Sequence, residues 1–111
     1  MSLILGEPTF TKTSEIRDYC ENGRKLIRPL ANEFRIASEE LKAALKEIPG
    51  QSPWLLGADS KVRAMIVAKH LEHAAEGVEA TCAGLIRTWL SFDKHFLQDM
   101  KKSKRAFDIK G

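Results

Sequence analysis

The residues best suited to bind a metal are two histidines and a glutamate that recur at helical spacing. His70, His73 and Glu76 are three residues apart, so in a helix their side chains point to the same side. This spacing permits ligation, but it matches neither the His-Glu-x-x-His motif of zinc proteases nor the paired Glu-x-x-His motif of di-iron bundles. We therefore predict no metal site and partly exposed histidines beside the core. A metal bound by these three residues is the alternative.

The sequence also lacks motifs for catalysis without a metal. The sequence has no nucleophile motif, no glycine-rich phosphate loop and no pair of carboxylates at apolar helix positions. Cys20 and Cys82 occupy apolar positions, which predicts buried and inert thiols. Antiparallel pairing of their helices would bring the two close enough for a disulfide under oxidising conditions. We predict a protein that is not an enzyme and that uses no cofactor and no small-molecule substrate.

Two groups of basic residues are candidate contacts for nucleic acid or another acidic partner. The first is a basic stripe on one face of the first predicted helix, formed by Arg17, Arg24, Arg28, Arg35, Lys42 and Lys46. Glu21 and Glu39 lie between these residues, so a solvated face that neutralises itself is the alternative interpretation. The second group is a basic tail, formed by Lys101, Lys102, Lys104 and Arg105. The tail accounts for the net charge of +3, because the rest of the chain is close to neutral.

The elements that carry these residues belong to a single domain. With 111 residues and 43% hydrophobic content, the chain can bury one modest core. We divide it into an N-terminal arm (residues 1–12), a helical domain (13–102) and the basic tail (103–111). The arm lacks the apolar region of a signal peptide, and no apolar run approaches the roughly 20 residues that a membrane span needs. Together with the two cysteines, which favour a reducing compartment, these features predict a cytoplasmic location.

An apolar seam predicts the first long helix, which starts at Thr13 or Ser14 and ends near Ile48. Its apolar positions alternate in steps of four and three, the repeat of a helix that lies nearly parallel to a partner: Ile16, Cys20, Gly23, Ile27, Leu30, Phe34, Ala37, Leu41, Ala44 and Ile48. Proline lacks an N–H and crowds the preceding turn, so we predict a kink near Pro29. Because the apolar phase is the same on both sides of Pro29, one kinked helix is favoured over two separate helices.

The segment Pro49–Gly57 contains two prolines and two glycines and predicts the bend of a hairpin. A second helix follows, capped by Asp59 or Ser60. Its seam consists of Val67, Leu71, Ala74, Val78, Cys82, Leu85, Trp89, Phe92, Phe96 and Met100. The two helices and the bend between them predict an all-α fold, a long antiparallel helical hairpin. Because the apolar stripe of the second helix is wider than one neighbouring helix can cover, we also predict that the hairpin completes a helical bundle by self-association.

The second helix also carries the predicted partner-binding surface. Its large apolar members lie on the seam: Val78, Leu85, Trp89, Phe92 and Phe96. Its small members form a secondary face beside the seam: Gly77, Ala80 and Gly84. Small residues at helical spacing allow another backbone to approach closely, although such positions can also be merely tolerant. We predict a non-enzymatic interaction or adaptor protein that forms a homodimer or binds another helical protein through this surface. The alternative is a nucleic-acid-binding accessory or regulatory protein that uses the basic stripe and the basic tail.

Two short motifs suggest a third function. The bend reads Trp54-Leu55-Leu56-Gly57, and the end of the second helix reads Trp89-Leu90-Ser91-Phe92-Asp93. A short helical hairpin with Trp and Gly at its bend resembles the WXG100 group of small secreted partner proteins, whose members dimerise into four-helix bundles. Here one more residue separates Trp from Gly, and Trp89 replaces the tyrosine of the group's export signal. The resemblance implies a secreted partner protein as a further alternative.

Overall fold

The computed structural model describes residues 3–49, 58–97 and 99, and these form two long helices. Helix α1 spans Thr13–Lys46 and helix α2 spans Ala58–Phe92, followed by a short π-helical segment, Asp93–Leu97. The two helices pack against each other in a hairpin, and the described residues form no β-strand. The predicted all-α helical hairpin is therefore confirmed. Its completion to a bundle by self-association stays a prediction.

The start of α1 is fixed by the carboxylate of Glu15 in its first turn. Glu15 Oε1 accepts hydrogen bonds from the backbone N–H groups of Thr11 and Lys12, at 2.8 and 2.9 Å, and from the Thr11 hydroxyl at 2.8 Å. As in a capping box, the side chain satisfies backbone donors that precede the helix. These hydrogen bonds, led by the one from the Thr11 backbone, lower the pKa of Glu15. Helix α1 begins at Thr13, one of the two predicted starts.

Pro29 lies inside α1, and the helix continues through it. The prediction of one helix rather than two is therefore confirmed, whereas the kink stays a prediction. The chain divides into two compact units: the first consists of Met1–Ile27 and Ala80–Gly111, and the second of Arg28–Glu79. Along α1, the boundary between the units falls within two residues of Pro29.

The core of the second unit consists of small side chains. Ala31 and Ser38 of α1, and Ala64, Ala68 and Ala75 of α2, are each at most 4% exposed. The Ser38 hydroxyl donates a hydrogen bond across the contact to the carbonyl oxygen of Ala68, at 2.9 Å. Because these side chains are short, the two helices meet closely, and a polar group can lie in the contact without losing its hydrogen bond.

Within the second unit, the predicted seam is wrong along one of its two rows. Leu30, Ala37 and Ala44 of α1, and Val67 and Ala74 of α2, are exposed instead of buried. At four of these five positions, the residue that follows in the sequence is the buried one. At Leu30 and Val67, the prediction placed the larger residue inward, but close packing selects the alanine one position later. The members of the other row within the helices, Phe34, Leu41, Leu71 and Val78, are half-buried, and Ile48, two residues beyond α1, is exposed.

Asp59 or Ser60 was predicted to cap α2, but both lie inside the helix, and the Ser60 hydroxyl closes the end of α1. Helix α2 already begins at Ala58, and Ser60 Oγ donates to the carbonyl oxygen of Ile48 at 2.6 Å, with the carbonyl oxygen of Leu45 at 3.3 Å. The backbone N–H of Ile48 also bonds to Leu45, at 3.1 Å. These bonds satisfy carbonyl groups that the end of a helix leaves unpaired.

The N-terminal arm belongs to the first unit; it contains a hydrogen-bonded turn and packs against α1. Gly6 adopts a positive φ of 80° in a turn where its N–H bonds to the carbonyl oxygen of Leu3 at 3.0 Å. Further along, the rings of Phe10 and Tyr19 meet edge to face, with centroids 5.5 Å apart. The arm is therefore attached to the first turns of α1 by aromatic packing.

Gly23 of α1 leaves space for the Leu85 side chain of α2 in the first unit. A Cβ atom at this position would lie 3.1 Å from Leu85 Cδ1 and 3.6 Å from Leu5 Cδ1. Any larger residue would therefore displace the Leu85 side chain. Cys20 and Cys82 are buried in the same unit, so the predicted seam is confirmed at Cys20, Gly23 and Cys82.

Candidate partner-binding surface

The predicted partner-binding residues are divided between the two units. Gly77 and Val78 belong to the second unit, and the other six belong to the first. Val78 and Leu85 are half-buried, and Leu85 packs against Gly23. Leu85 therefore serves the hairpin itself, which leaves the outward-facing members of the set as the candidates for a partner contact.

The glycines of this set are not required for packing among the described residues. A Cβ atom placed on Gly77 or on Gly84 would have no atom within 4 Å. Ala80 is exposed, and Thr88 Oγ1 donates a hydrogen bond to the carbonyl oxygen of Gly84 at 2.9 Å. In the first unit, the backbone around Gly84 is thus open to an approaching group.

Three aromatic rings of the first unit extend from the end of α2 into the π-helical segment. The ring centroids of Trp89 and Phe92 are 5.6 Å apart, and those of Phe92 and Phe96 are 6.4 Å apart with planes inclined by only 19°. Phe96 is 59% exposed. An open groove of about 480 Å3 passes the rings of Phe92 and Phe96, and it is lined by Gly84, Arg87, Thr88, Ser91, Phe92 and Phe96. The structure therefore brings Gly84, Phe92 and Phe96 together, and we call this surface the aromatic groove.

In the first unit, the basic stripe is paired with acidic neighbours on the same helix. Arg24 Nη2 lies 2.6 Å from Glu21 Oε1, and Arg17 Nε lies 3.4 Å from Asp18 Oδ1. Lys25 Nζ lies 3.8 Å from the same Glu21 oxygen. The hydrogen bond from Arg24 lowers the pKa of Glu21. These contacts support the interpretation of a face that neutralises itself.

In the second unit, the stripe is paired mainly with glutamates of α2. Arg35 forms a two-pronged ion pair with Glu79, with Nη2–Oε1 and Nη1–Oε2 distances of 2.7 and 3.2 Å. Lys42 Nζ lies 3.1 Å from Glu39 Oε1 and 3.9 Å from Glu72 Oε1. We missed the partners on α2, although Glu72 and Glu79 are seven residues apart, as are Arg35 and Lys42. In the sequence, this shared seven-residue spacing of basic residues on one helix and acidic residues on the other was the signal that could have predicted the ion pairs.

The candidate metal residues are not assembled into a site. His70, His73 and Glu76 are all exposed. Within the part of the chain that the structure describes, no group of three or more His, Cys, Asp or Glu side chains is arranged to hold a metal ion. Glu76 instead borders a pocket with Arg35, Glu39 and Glu72, where acidic and basic groups are mixed.

Both cysteines are buried free thiols, as predicted. Burial raises the pKa of the Cys20 thiol, which disfavours the reactive thiolate. The Cys82 thiol approaches the carbonyl oxygen of Arg24 at 3.9 Å, in the range of a weak S–H···O hydrogen bond. The structure therefore contains no disulfide between Cys20 and Cys82.

Several predictions concern residues outside the described ranges. These are the bend with Trp54 and Gly57, and the basic tail with Lys101, Lys102, Lys104 and Arg105. Within the described ranges, neither helix has a stretch that is both long and apolar enough for a membrane span.

A comparison with known protein families gives a match over almost the whole chain. Residues 1–110 match the model of a family described as plasmid transfer protein TraA-like. No curated protein and no solved structure shows significant similarity to the chain. The family match covers both helices and the aromatic groove. The chain therefore belongs to the family of TraA-like plasmid transfer proteins.

Proposed function

We propose that this chain is a helical interaction protein that serves plasmid transfer by binding a helical protein, or a second copy of itself, through the aromatic groove. The observation that carries this proposal is the exposure of Phe96 beside Gly84, where an open groove passes an accessible stretch of helix backbone. Aromatic side chains contribute strongly to binding when a partner covers them. A neighbouring glycine allows a second helix to come close to them.

The exposed aromatic side chain at the groove supports the same function. Phe96 of the first unit is 59% exposed, and its ring lies 6.4 Å from the half-buried ring of Phe92. Burial of apolar surface stabilises a fold by about 25 cal/mol per Å2, so large side chains left outside forgo that stabilisation. Exposed apolar residues that are close together typically mark sites where another molecule binds.

A photo-crosslinking experiment tests this proposal. The photoreactive analogue benzoylphenylalanine replaces Phe96 in the full chain, and a matched variant carries it at Lys25, an exposed position of the same unit. Light should produce a protein–protein adduct from position 96 and none from position 25. Gly84→Leu, which fills the groove, should abolish the adduct and reduce plasmid transfer without lowering the amount of protein. Equal adducts from both positions, or none from position 96, would contradict the proposal.

The nucleic-acid alternative depends mainly on the basic tail. Four of the six residues of the basic stripe are held in ion pairs, which reduces the charge available to phosphates. In the same experiment, this alternative would appear as an adduct that nuclease destroys. Removing residues 101–111 would then weaken DNA binding at low salt, whereas Gly84→Leu would not. The WXG100-like alternative predicts an adduct with a second small helical protein that is exported with the chain.

A further inference from the structure

In the second unit, one side of the helix pair presents apolar and small residues in rows with a seven-residue repeat. Leu30, Ala37 and Ala44 form such a row on α1, and Val67 and Ala74 continue it on α2. All five residues are exposed, with Leu30 at 37% and Val67 at 47%. Because a seven-residue row keeps the same direction along a coiled helix pair, these residues make one continuous surface. We call it the uncharged face.

The uncharged face is bordered by acidic residues on α1 and by basic residues on α2. The next seven-residue row outward on α1 is Glu33, Glu40 and Glu47, and the corresponding row on α2 begins with Arg63 and His70. These five side chains are exposed, and none of them forms an ion pair with another described residue. The border thus carries opposite charges on its two edges, and both remain available to a partner.

We propose that the uncharged face binds a second copy of this chain, with α1 of each copy lying on α2 of the other in an antiparallel four-helix bundle. A two-fold axis parallel to the helices produces this arrangement and places the acidic row of one copy along the basic row of the other. The other two-fold arrangement stacks α1 on α1 and brings the glutamates of the two copies together. Like charges at such a contact are unfavourable, so the border charges select the first arrangement.

The register of the hairpin brings the opposite charges within reach. The hydrogen bond between Ser38 and the carbonyl oxygen of Ala68 sets these two residues at the same level. In the antiparallel pair, the level of Glu40 then falls at residue 66, between Arg63 and His70. With a rise of 1.5 Å per residue, each basic group is displaced by roughly 4–6 Å along the axis. In the two-fold dimer, Glu40 of one copy can therefore meet Arg63 of the other.

This dimer surface goes beyond the proposed function. It lies in the second unit and consists of apolar and small residues, whereas the aromatic groove lies in the first unit. The contact is isologous, which means that each Glu40–Arg63 pair occurs twice. A change of one charge therefore creates two repulsive contacts, and a change of both charges removes them.

The test is a charge exchange, read out as mass in solution by light scattering at low salt. Wild-type chain should be dimeric, and Glu40→Lys and Arg63→Glu should each weaken dimerisation by roughly tenfold or more, because like charges then face each other twice. An equimolar mixture of the two variants should form a heterodimer, since both contacts then join opposite charges. The double variant Glu40→Lys/Arg63→Glu should also recover the dimer.

Two control variants complete the test. Lys69→Glu and Glu76→Lys change exposed charges on α2 outside the two border rows, and both should leave the dimer intact. A monomeric wild-type chain, single variants that keep the wild-type mass, or a mixture without heterodimer would each overturn the inference. An adduct from position 96 together with a monomeric chain would reject this dimer and retain the proposed function. Recovery of the dimer by charge exchange, without an adduct from position 96, would support this dimer and reject the proposed function.

Discussion

The two sides of the second unit use charge in opposite ways. On one side, Arg35 and Lys42 of α1 reach Glu79 and Glu72 of α2, so charges seven residues apart are paired within the chain. On the other side, the uncharged face lies between glutamates and basic residues that have no ion pair within the described residues. The first side thus helps to hold the hairpin together, whereas the second leaves its apolar surface and its border charges for another molecule.

This difference depends on the small side chains between the two sides. Small residues hold α1 and α2 close together, so larger neighbours such as Leu30 and Val67 remain partly in solvent. If the helices were farther apart, these larger side chains could turn into the contact. The uncharged face is therefore a consequence of the close packing of α1 and α2. Among the changes considered, a larger side chain in this core should have the largest effect on stability.

Ala68→Leu should be the most destabilising of the changes considered. Ala68 is fully buried and faces the hydrogen bond from Ser38, so three additional carbon atoms have no space. Overpacking of this kind costs about 3 kcal/mol, and it should lower the free energy of unfolding measured by chemical denaturation. Ala43→Leu is the matched control, because Ala43 is exposed on α1 and should tolerate the change. Equal stabilities of the two variants would show that the helices are not closely packed at Ala68.

Much of the fold could be predicted from the sequence because helix bounds depend on local signals. Glu15 and the apolar repeat were sufficient to place α1, and the Pro- and Gly-rich segment separated the two helices. The phase within the second unit could not be found in this way. An apolar stripe wider than one neighbour allows several phases, and the choice of Ala31 over Leu30 follows from how closely two backbones approach, which is a tertiary property.

The candidate site was predicted in part, for a similar reason. Phe92 and Phe96 were expected to be near each other because both lie on the predicted seam of the second helix. Gly84 was placed on the face beside the seam, but it lines the same groove. Leu85 was assigned to a partner, but it contacts Gly23, and the sequence alone could not distinguish a partner of the same chain from one outside it. Ser38 was missed altogether because a polar residue was not expected in a buried contact.

Ser38→Ala should have a smaller effect, of about 1 kcal/mol. The change removes the hydroxyl but adds no volume, so the cost is mainly that of one buried hydrogen bond. The carbonyl group of Ala68 also lies within a continuous helix, so it keeps its backbone partner and is not left unsatisfied. Chemical denaturation should show the loss, and Ser91→Ala, at an exposed position of α2, should show none. If the free energy of unfolding of Ser38→Ala equalled that of the wild-type chain, the Ser38 hydroxyl would not stabilise the contact between the helices.

The smallest effect is expected from the ion pair on the charged side. Both partners, Arg35 and Glu79, are solvent-exposed. A double-mutant cycle with Arg35→Ala and Glu79→Ala should therefore give a coupling energy smaller than the loss of stability in Ser38→Ala. Added salt should reduce this coupling energy further. The hydrogen bond from Arg35 lowers the pKa of Glu79 in the folded chain.

That shift determines how the coupling should depend on pH. A carboxylate whose pKa is lower in the folded chain adds stability at pH values above its unfolded pKa. This stability disappears as the pH falls through the lowered folded pKa. The coupling should therefore be present at neutral pH and absent once Glu79 is protonated. A coupling that increases on acidification would mean that this glutamate is not stabilised as a carboxylate by Arg35. The charged side would then hold the hairpin no better than the uncharged face does.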